Sequence, residues 1–431
     1  MEENEAPVTL IKGGRVVDPA ASFDATADLL IVDGVIREVG RVDPPAGCRV
    51  IDADGLTVAP GLVDMHVHFR EPGFEYKETI AGGSQAAAAG GVTSVAAMPN
   101  TAPANDDPSV TGYMLQKARA AGLVNLYPIG AITKGLKGKE LAEMGLQQQA
   151  GCVAFSDDGY VVMDSGVMRR AMEYSRAFGA LIIQHAEDSG LSCGGCMNEG
   201  VHSSRLGLPG IPVESEEVIV DRDIRLAELT GGRYHVAHIS AAGAVAAVAA
   251  ARKKGLQVSC EAAPHHFTLT DEAVVGYDAN YKMSPPLRSG IDRNAILEGL
   301  ARGDITAIAT DHAPHERDSK QVEFCRAANG VVGLETLLPL SLDLVREGVL
   351  GLMETLACLT CNPAQLLGID GGTLGVGARA DVVVFDPDEA WVVDPRRLHG
   401  TARNTCFAGI KVRGRVKKSL LAGRIVHSDG R

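Results

Sequence analysis

Residues 59–70 read Ala-Pro-Gly-Leu-Val-Asp-Met-His-Val-His-Phe-Arg, an apolar run that enters a His-x-His pair. In a β-strand, residues i and i+2 point to the same face, so His66 and His68 are expected to project side by side. Met65, Val67 and Phe69 are expected to face the other way. Two imidazoles held this close on a rigid strand are well placed to bind one zinc-like cation. The pair predicts a metal site if the rest of the chain supplies further ligands.

The chain around this stretch alternates strand-like and helix-like runs. Strand-like runs begin near Leu62, Val92, Asn125, Cys152, Ala180, Tyr234, Gln257 and Ile305. Ala-rich helical runs lie between most of them, at 83–89, 167–178 and 243–254. Eight strands that are each followed by a helix predict a (β/α)8 TIM-type barrel. Loops after the strands carry the active site in such barrels, so the longer connections after the fifth, seventh and eighth strands are candidates for the substrate pocket.

Both ends of the chain read as short alternating strands. Asp33-Gly34 separates two apolar runs and is a strong signal for a β-hairpin. Similar strand-like runs return near the C-terminus. We therefore expect one composite small β-domain from residues 1–58 and 372–431, beside a barrel domain of residues 59–371.

Composition narrows the class of protein. A formal net charge of −13 over 431 residues argues against nucleic acid or an anionic membrane as the main partner. No apolar stretch reaches the ~20 residues of a membrane span. The acidic start Met-Glu-Glu-Asn-Glu lacks a secretory pattern, and the nine cysteines are an odd number, so we expect a cytoplasmic protein with reduced thiols. Two Cys-x-x-Cys pairs occur, and neither opens a thioredoxin-like unit; they are Cys193/Cys196 and Cys358/Cys361.

Metal-ligating residue types sit where several predicted strands end. Beyond the His-x-His pair, they are Asp157 and Asp158 after the fourth strand, His185 after the fifth, His235 and His238 at the sixth, and Asp311 after the eighth. The carboxyl ends of parallel barrel strands meet at one mouth, so four His and two Asp are expected to converge there if the fourth strand supplies one of its two Asp and the sixth strand one of its two His. That number is about what two divalent cations require.

Side-chain alternation selects between the neighbouring carboxylates. Val153 and Phe155 are the bulky apolar residues expected against the outer helices, which puts Asp157 on that side. Ser156 and Asp158 then face the barrel interior. Asp158 is therefore favoured as the ligand.

Alternation is less decisive for the histidines of the sixth strand. His238 shares a face with Tyr234, whereas His235 lies on the other face, which would suit packing under helices. We take His238 as the ligand, although parity alone permits the opposite assignment. His265 and His266 follow the seventh strand. Either could support a metal ligand or have a structural role, and neither is assigned.

Eight stretches match one family of proteins together. They read APGLVDMHVHFREPG, AAMPNT, AFSDDG, QHAED, YHVAHIS, PHH, NYKMSPPLR and ATDHAPH, and they run from residue 59 to residue 315. The set resembles the amidohydrolase superfamily, and more closely the class I dihydroorotases. The β-rich ends also fit the composite domain of that family. The motifs are specific as a set, whereas any one alone would not be.

The resemblance implies a centre of two zinc ions per chain. By position, His66 and His68 would bind one ion and His185 and His238 would bind the other. Asp158 would bridge both ions.

The resemblance also implies roles around this centre. Asp311 would bind the first ion and act as the catalytic acid/base. Arg70, Asn100 and His315 would grip the substrate carboxylate, for which the planar guanidinium is well suited.

Two departures from the family pattern touch the expected substrate pocket. Ser284 stands where relatives carry Asn in the NYKMN segment. Ala328-Asn329-Gly330 stands where many have Pro-Phe-Gly. Ser284, Asn329 and Gly330 are therefore candidate substrate-binding residues whose contacts are expected to differ from those of relatives.

The implied reaction is the reversible zinc-dependent cyclisation of N-carbamoyl-L-aspartate to dihydroorotate, in de novo pyrimidine biosynthesis. A hydroxide shared by the two cations would attack the ring amide carbonyl, because two cations lower the pKa of a shared water. The nearest rival is a hydantoinase or allantoinase, but these usually bridge their metals with a carboxylated Lys, and residues 151–159 contain none. A dihydroorotase-like subunit that only scaffolds aspartate transcarbamoylase would be expected to have lost metal ligands. We expect a homo-oligomer, with aspartate transcarbamoylase as a candidate partner.

Overall fold

The structure, a computed structural model, describes residues 8–429; the acidic start and the last two residues lie outside the described residues. The described part of the chain starts with five strands of a small sheet. They are β1 (Val8–Asp18), β2 (Phe23–Val32), β3 (Val35–Gly40), β4 (Arg49–Asp52) and β5 (Thr57–Pro60). Asp33 and Gly34 join β2 to β3 with φ angles of 50° and 74°. Two left-handed residues are what a type I′ turn requires, so the predicted hairpin is confirmed.

Eight parallel strands, which are neighbours in chain order, form the barrel. The first five are β6 (Leu62–Val67), β7 (Val92–Ala97), β8 (Asn125–Gly130), β9 (Ala154–Ser156) and β10 (Leu181–Gln184). After two short strands in a connection, β11 (Met197–Asn198) and β12 (Gly210–Ile211), the barrel continues with β13 (Arg233–Val236), β14 (Val258–Ala262) and β15 (Ala307–Ile308). The ring closes where Val67 pairs with His312 and the Thr310 N–H donates to Asp64. The predicted (β/α)8 barrel is confirmed.

Helices follow the strands around the outside and fill the long connections. They are α1 (Ile80–Ala89), α2 (Pro108–Ala121), α3 (Met144–Ala150), α4 (Ser165–Ser175), α5 (Val201–Leu206), α6 (Glu214–Thr230), α7 (Ala242–Lys253), α8 (Pro264–Thr268), α9 (Gly290–Arg302), α10 (Arg317–Lys320), α11 (Leu337–Arg346), α12 (Leu352–Leu359) and α13 (Cys361–Leu367). Local sequence explains several starts: Asp107 and Asp164 accept backbone N–H bonds in the first turns of α2 and α4. Between residues 8 and 429, no helix combines the length and apolar character needed to cross a membrane.

The last strands return to the small sheet. They are β16 (Val382–Val392), β17 (Lys411–Leu421) and β18 (Arg424–Ser428). The sheet order is β18-β17-β16-β5-β1-β2-β3, with β4 also paired to β1. Because β16 lies antiparallel to β5, the strands from the C-terminal end continue the sheet formed by the strands from the N-terminal end. The predicted β-domain built from both chain ends is confirmed.

The barrel interior is packed with apolar side chains below the mouth. Val63, Met65, Ile183 and Ala237 belong to this cluster, and Leu367 of α13 joins it. The prediction that Met65 faces away from the barrel is wrong. The register of β6 on β7 shifts between Asp64 and Val67, so strict alternation fails at this point in the strand.

Candidate active site and metal centre

A cavity of about 280 Å³ opens where the barrel strands end. Every site residue predicted from the sequence lines it except His66, whose side chain is fully buried. Glu187 also lines the cavity and was not among the sequence predictions. The strand-end argument thus led to one place, because the carboxyl ends of parallel strands converge.

Two groups of three potential metal ligands share one carboxylate. His66, His68 and Asp158 form the first group, and Asp158, His185 and His238 form the second, with the ligand atoms of each group within 4.8 Å of one another. Asp158 Oδ1 lies 3.5 Å from His66 Nε2 and 3.5 Å from His238 Nε2. Asp158 Oδ2 lies 3.4 Å from His68 Nε2. The shared carboxylate has the position that a bridge between two cations needs.

These residues fit a pair of zinc-like ions. Two ligands with bonds of about 2.1 Å to a tetrahedral ion lie about 3.4 Å apart, which is close to the separations around Asp158. His66 Nε2 and Asp158 Oδ1 are buried and find no hydrogen-bond partner among residues 8–429. Unpartnered buried polar atoms are costly, and a bound cation would satisfy both.

Asp311 extends the first group of ligands. Its Oδ1 atom lies 3.0 Å from His68 Nε2 and 3.5 Å from His66 Nε2. Burial alone would raise the pKa of Asp311, but the close polar contact with His68 Nε2 and the nearby histidine charges bring that pKa below its usual value. The carboxylate is therefore ionised and able to accept a proton.

The backbone is strained at three of the site residues. Arg70, His238 and Asp311 have φ angles of 63°, 32° and 47°, a region that non-glycine residues rarely adopt. Such strain collects at functional sites, where the surrounding structure holds it. All three residues lie just beyond a strand end, where the chain must turn to aim the side chain into the mouth.

The left-handed backbone at His238 also explains why the side chains of the sixth barrel strand do not follow the expected alternation of faces. Tyr234 and Val236 pack outward against the helices, so parity would send His238 outward too. The left-handed backbone at His238 instead turns its ring inward, 3.0 Å from His185. The prediction that His235 packs under the helices is wrong, because its ring contacts Glu261, whose other carboxylate oxygen contacts His66.

Asp157 has a different environment from its neighbour Asp158. Its carboxylate accepts hydrogen bonds from the backbone N–H groups of Ile132 and Thr133, both at 2.9 Å, and from the Thr133 hydroxyl. Burial raises the pKa of Asp157 to about 6 in spite of these bonds. Asp157 therefore ties the fourth strand to the preceding loop, while Asp158 faces the cavity.

Arg70 and His315 form the opposite wall of the cavity. Arg70 Nε donates to the Pro314 carbonyl at 3.2 Å, which leaves other guanidinium donors toward the cavity. Burial lowers the pKa of Arg70 to about 10, so it stays charged at neutral pH. His315 Nε2 donates to the Asn329 carbonyl at 2.7 Å, and burial and the Arg70 charge lower the pKa of His315 to about 2. The wall thus presents one cation beside a neutral imidazole.

Asn100 and Ser284, two further predicted pocket residues, are linked to the candidate metal-binding histidines. The Asn100 side-chain oxygen accepts from His68 Nδ1 at 2.8 Å, which leaves His68 Nε2 for a metal. Ser284 Oγ donates to Glu187 at 3.0 Å, and Glu187 lies 3.8 Å from His185 Nε2. Both side chains also line the cavity, so each lies between a candidate metal-binding histidine and the space for a substrate.

The loop that carries Asn329 and Gly330 is held by two buried lysines. Lys282 Nζ donates to two loop carbonyls at 2.7 Å each, including that of Cys325. Lys320 Nζ donates to the Gly330 carbonyl at 3.0 Å and to two further carbonyls. Buried ammonium groups with carbonyl acceptors fix the backbone of this loop, and with it the shape of the pocket.

The structure corrects the expectation of reduced thiols throughout. Cys196 and Cys325 form a disulfide with their Cα atoms 5.2 Å apart, whereas Cys193 is free and exposed. The two half-cystines are 129 residues apart in sequence and belong to the connections after the fifth and eighth barrel strands. The fold brings these connections together over the mouth, which the spacing of cysteines could not reveal.

Sequence reasoning missed three acidic or amide residues that support the site. Glu261 contacts His66, Asp64 accepts from the Thr310 N–H at 3.1 Å, and Asn404 accepts from the His315 N–H at 3.0 Å. A single acidic residue inside an otherwise apolar strand was a visible signal for Asp64 and Glu261. Asn404 lies in a loop of the distant C-terminal segment, where the sequence offers no comparable signal.

Comparisons with known proteins agree with this geometry. Residues 55–244 match the family described as Dihydro-orotase-like, and residues 225–427 match the Amidohydrolase family. A dihydroorotase of Geobacter sp. (strain M21) is 54% identical over 422 residues, which covers 98% of this chain and 99% of that protein. A dihydroorotase of Anaeromyxobacter sp. (strain K) is 53% identical over 427 residues, with 98% and 99% covered.

Among solved structures, an L-hydantoinase (dihydropyrimidinase) from Arthrobacter aurescens superposes with a TM-score of 0.87 at 26% identity. That match covers 98% of this chain and 96% of the other. The identity to dihydroorotases over nearly the whole length, together with the shared fold, decides the family. The chain belongs to the dihydroorotase family of the amidohydrolase superfamily.

Proposed function

We propose that this protein is a class I dihydroorotase, which interconverts dihydroorotate and N-carbamoyl-L-aspartate in pyrimidine biosynthesis. One observation carries the proposal: a carboxylate shared by two pairs of histidines and a partly buried guanidinium line the same small cavity. The first feature suits activation of water, and the second suits an anionic substrate. The identity of more than half the residues to dihydroorotases supports the same substrate.

Substrate binding is assigned to the wall opposite the histidines. Arg70 would hold the substrate carboxylate through its free guanidinium donors, with Asn100 and His315 beside it. The carboxylate would also offset the Arg70 charge that lowers the pKa of His315. Asn329 and Gly330 would shape this wall, because their loop is fixed by buried lysines.

Ser284 is the least constrained of these assignments. Its hydroxyl is already used by Glu187, so any contact with the ring would be made through a lone pair or a water. Where relatives carry an amide at this position, the shorter side chain leaves more room. Ser284→Asn should therefore shift KM with little change in metal content if Ser284 touches the substrate.

The metal centre would hold two zinc ions, with His66, His68 and Asp311 on one ion, His185 and His238 on the other, and Asp158 between them. When bound, such ions lower the pKa of water to near neutrality and polarise a carbonyl. The proton transfers are assigned to the chain's own residues. Water adds to the ring amide carbonyl, and the ring C–N bond then breaks. Asp311 accepts the proton of the attacking water and returns it to the leaving nitrogen, which balances the reaction in both directions.

The rival activity is that of a hydantoinase, whose fold is closely similar. Two features favour the dihydroorotase. The bridging position would be held by Asp158 rather than by a lysine that would need carboxylation, and Arg70 would supply a partner for a substrate carboxylate. A non-catalytic scaffold is disfavoured because all the expected ligands are present. We further propose the barrel of residues 59–371 as the catalytic domain, a homo-oligomer, and aspartate transcarbamoylase as a candidate partner.

The test compares two substrates on zinc-loaded protein: L-dihydroorotate and 5,6-dihydrouracil, which has the same ring without the carboxylate. A dihydroorotase should favour dihydroorotate by on the order of a hundredfold or more in kcat/KM, because a charge-assisted pair is worth a few kcal/mol. Preference for dihydrouracil would support the hydantoinase. Turnover of neither compound with metal bound would support the scaffold.

A further inference from the structure

Glu261 lies beneath the metal centre and has no part in the roles assigned above. It is on β14, it is 1% exposed, and its Oε1 atom lies 2.7 Å from His66 Nδ1. We propose that Glu261 is a positioning residue that fixes His66 as a metal ligand and thereby sets the affinity of one of the two ions. This inference rests on the proposed two-ion centre.

The contact decides which nitrogen of His66 is free. A carboxylate only accepts, so His66 Nδ1 must carry the proton and donate it to Glu261. His66 Nε2 then holds the lone pair, and it points to Asp158 Oδ1 and Asp311 Oδ1, each at 3.5 Å. A carboxylate behind a histidine ligand fixes the ring and makes it more basic, which strengthens its bond to a metal.

Other donors hold Glu261 itself in place. Its Oε2 atom accepts from His235 Nε2 at 3.1 Å, and the other ring nitrogen of His235 accepts from Ser259 Oγ at 2.8 Å. The His238 backbone N–H lies 3.4 Å from Oε1. Both oxygens of Glu261 and both ring nitrogens of His235 therefore have partners, and Glu261 cannot turn away from His66 without leaving two histidine protons unpaired.

The four candidate histidine ligands differ in the hydrogen-bond partners of their rings. His68 donates to the neutral amide of Asn100, and His185 lies 3.8 Å from Glu187, which is longer than a hydrogen bond. His238 Nδ1 has no partner within the described part of the chain. Among residues 8–429, His66 alone of the four has a carboxylate within hydrogen-bond distance of the ring nitrogen that is turned away from the other candidate ligands. Loss of Glu261 should therefore weaken the ion on the His66 and His68 side and spare the other.

The experiment measures two zinc dissociation constants by competition with a chromophoric chelator. In Glu261→Gln, the amide oxygen can still accept from His66. The amide N–H can donate to His235 Nε2 if His235 moves its proton to Nδ1 and donates to Ser259 Oγ. The fold is therefore kept while the negative charge is lost. We expect one zinc site to weaken by about 10–100-fold and the other to change less than about threefold. The melting temperature of the metal-free protein should match that of wild type.

Asp223→Asn is the matched control, because it also converts a fully buried carboxylate to an amide but Asp223 touches no candidate ligand. Both its zinc constants should equal those of wild type. If Glu261→Gln does not fold, Glu261→Asp, which keeps the charge but shortens the reach, should show the same loss at one site. Equal weakening of both sites, or unchanged constants, would overturn the inference. A wild-type protein that binds no zinc would instead overturn the proposed metal centre itself.

Discussion

The two neighbouring carboxylates after the fourth barrel strand should respond in opposite ways to mutation. Asp158 lies 3.4 to 3.7 Å from all four candidate histidine ligands and belongs to both ligand groups. Asp157 instead accepts from two backbone N–H groups and a hydroxyl. Asp158→Ala should therefore remove metal binding, whereas Asp157→Ala should remove stability.

The structure sets the magnitudes. A four-ligand zinc site is worth about 10–16 kcal/mol, so the loss of one ligand costs roughly 3 kcal/mol, or on the order of a hundredfold in affinity, for each of two ions. Asp157→Ala leaves the N–H groups of Ile132 and Thr133 buried without acceptors. At about 1–3 kcal/mol each, the free energy of unfolding should fall by roughly 2–6 kcal/mol.

Zinc content after equilibrium dialysis and urea unfolding of the metal-free proteins separate the two effects. Asp158→Ala should lose both ions and turnover while its metal-free form unfolds near the wild-type midpoint. Asp157→Ala should unfold earlier and still bind two ions where it is folded. The reasoning is refuted if Asp157→Ala loses more zinc than Asp158→Ala.

Three further perturbations follow from the site. Asp311→Asn should still bind dihydroorotate but lose several orders of magnitude in kcat, since it removes the proton carrier; more than about a tenth of wild-type kcat with metal bound would place that role elsewhere. Arg70→Met should raise KM for dihydroorotate and lower kcat/KM about a hundredfold, with little effect on dihydrouracil; equal losses on both compounds would make Arg70 structural. Burial raises the pKa of Asp223 to about 6, although the positive charge of Arg222 acts to lower it. The pKa of an Asp in the unfolded chain is about 3.9. The contribution of this group to the free energy of unfolding should therefore fall by roughly 2 kcal/mol as pH rises from about 4 to 7. Unfolding curves of Asp223→Asn at the two pH values should lack that fall.

The sequence was informative wherever chemistry follows from periodicity. The strand ends of a parallel barrel converge, so the position of His185 or Asp311 in a motif was enough to predict its place at the mouth. Alternation also separated Asp158 from Asp157, because β9 is regular up to the mouth. The hairpin at Asp33-Gly34 followed from residues that tolerate positive φ.

The errors arose where the backbone departs from regularity or where distant segments meet. Alternation failed at Met65, where the β6 register shifts, and at His238, where a left-handed residue reverses the direction of the side chain. The Cys196–Cys325 bond joins two connections that only the closed barrel brings together. Glu261 acts through a ligand rather than as one, and its role becomes visible only with its distance to His66.

The most direct test of a two-metal centre with a built-in carboxylate bridge is a zinc titration of metal-free protein, followed by dihydroorotate turnover in buffer depleted of carbon dioxide. Because Asp158 is complete as translated, activity should rise to a plateau at about two zinc ions per chain, and added bicarbonate should not change that plateau. A plateau below one ion per chain would contradict the two-metal centre. A marked gain from bicarbonate would show that the bridge is a carboxylated lysine and not Asp158.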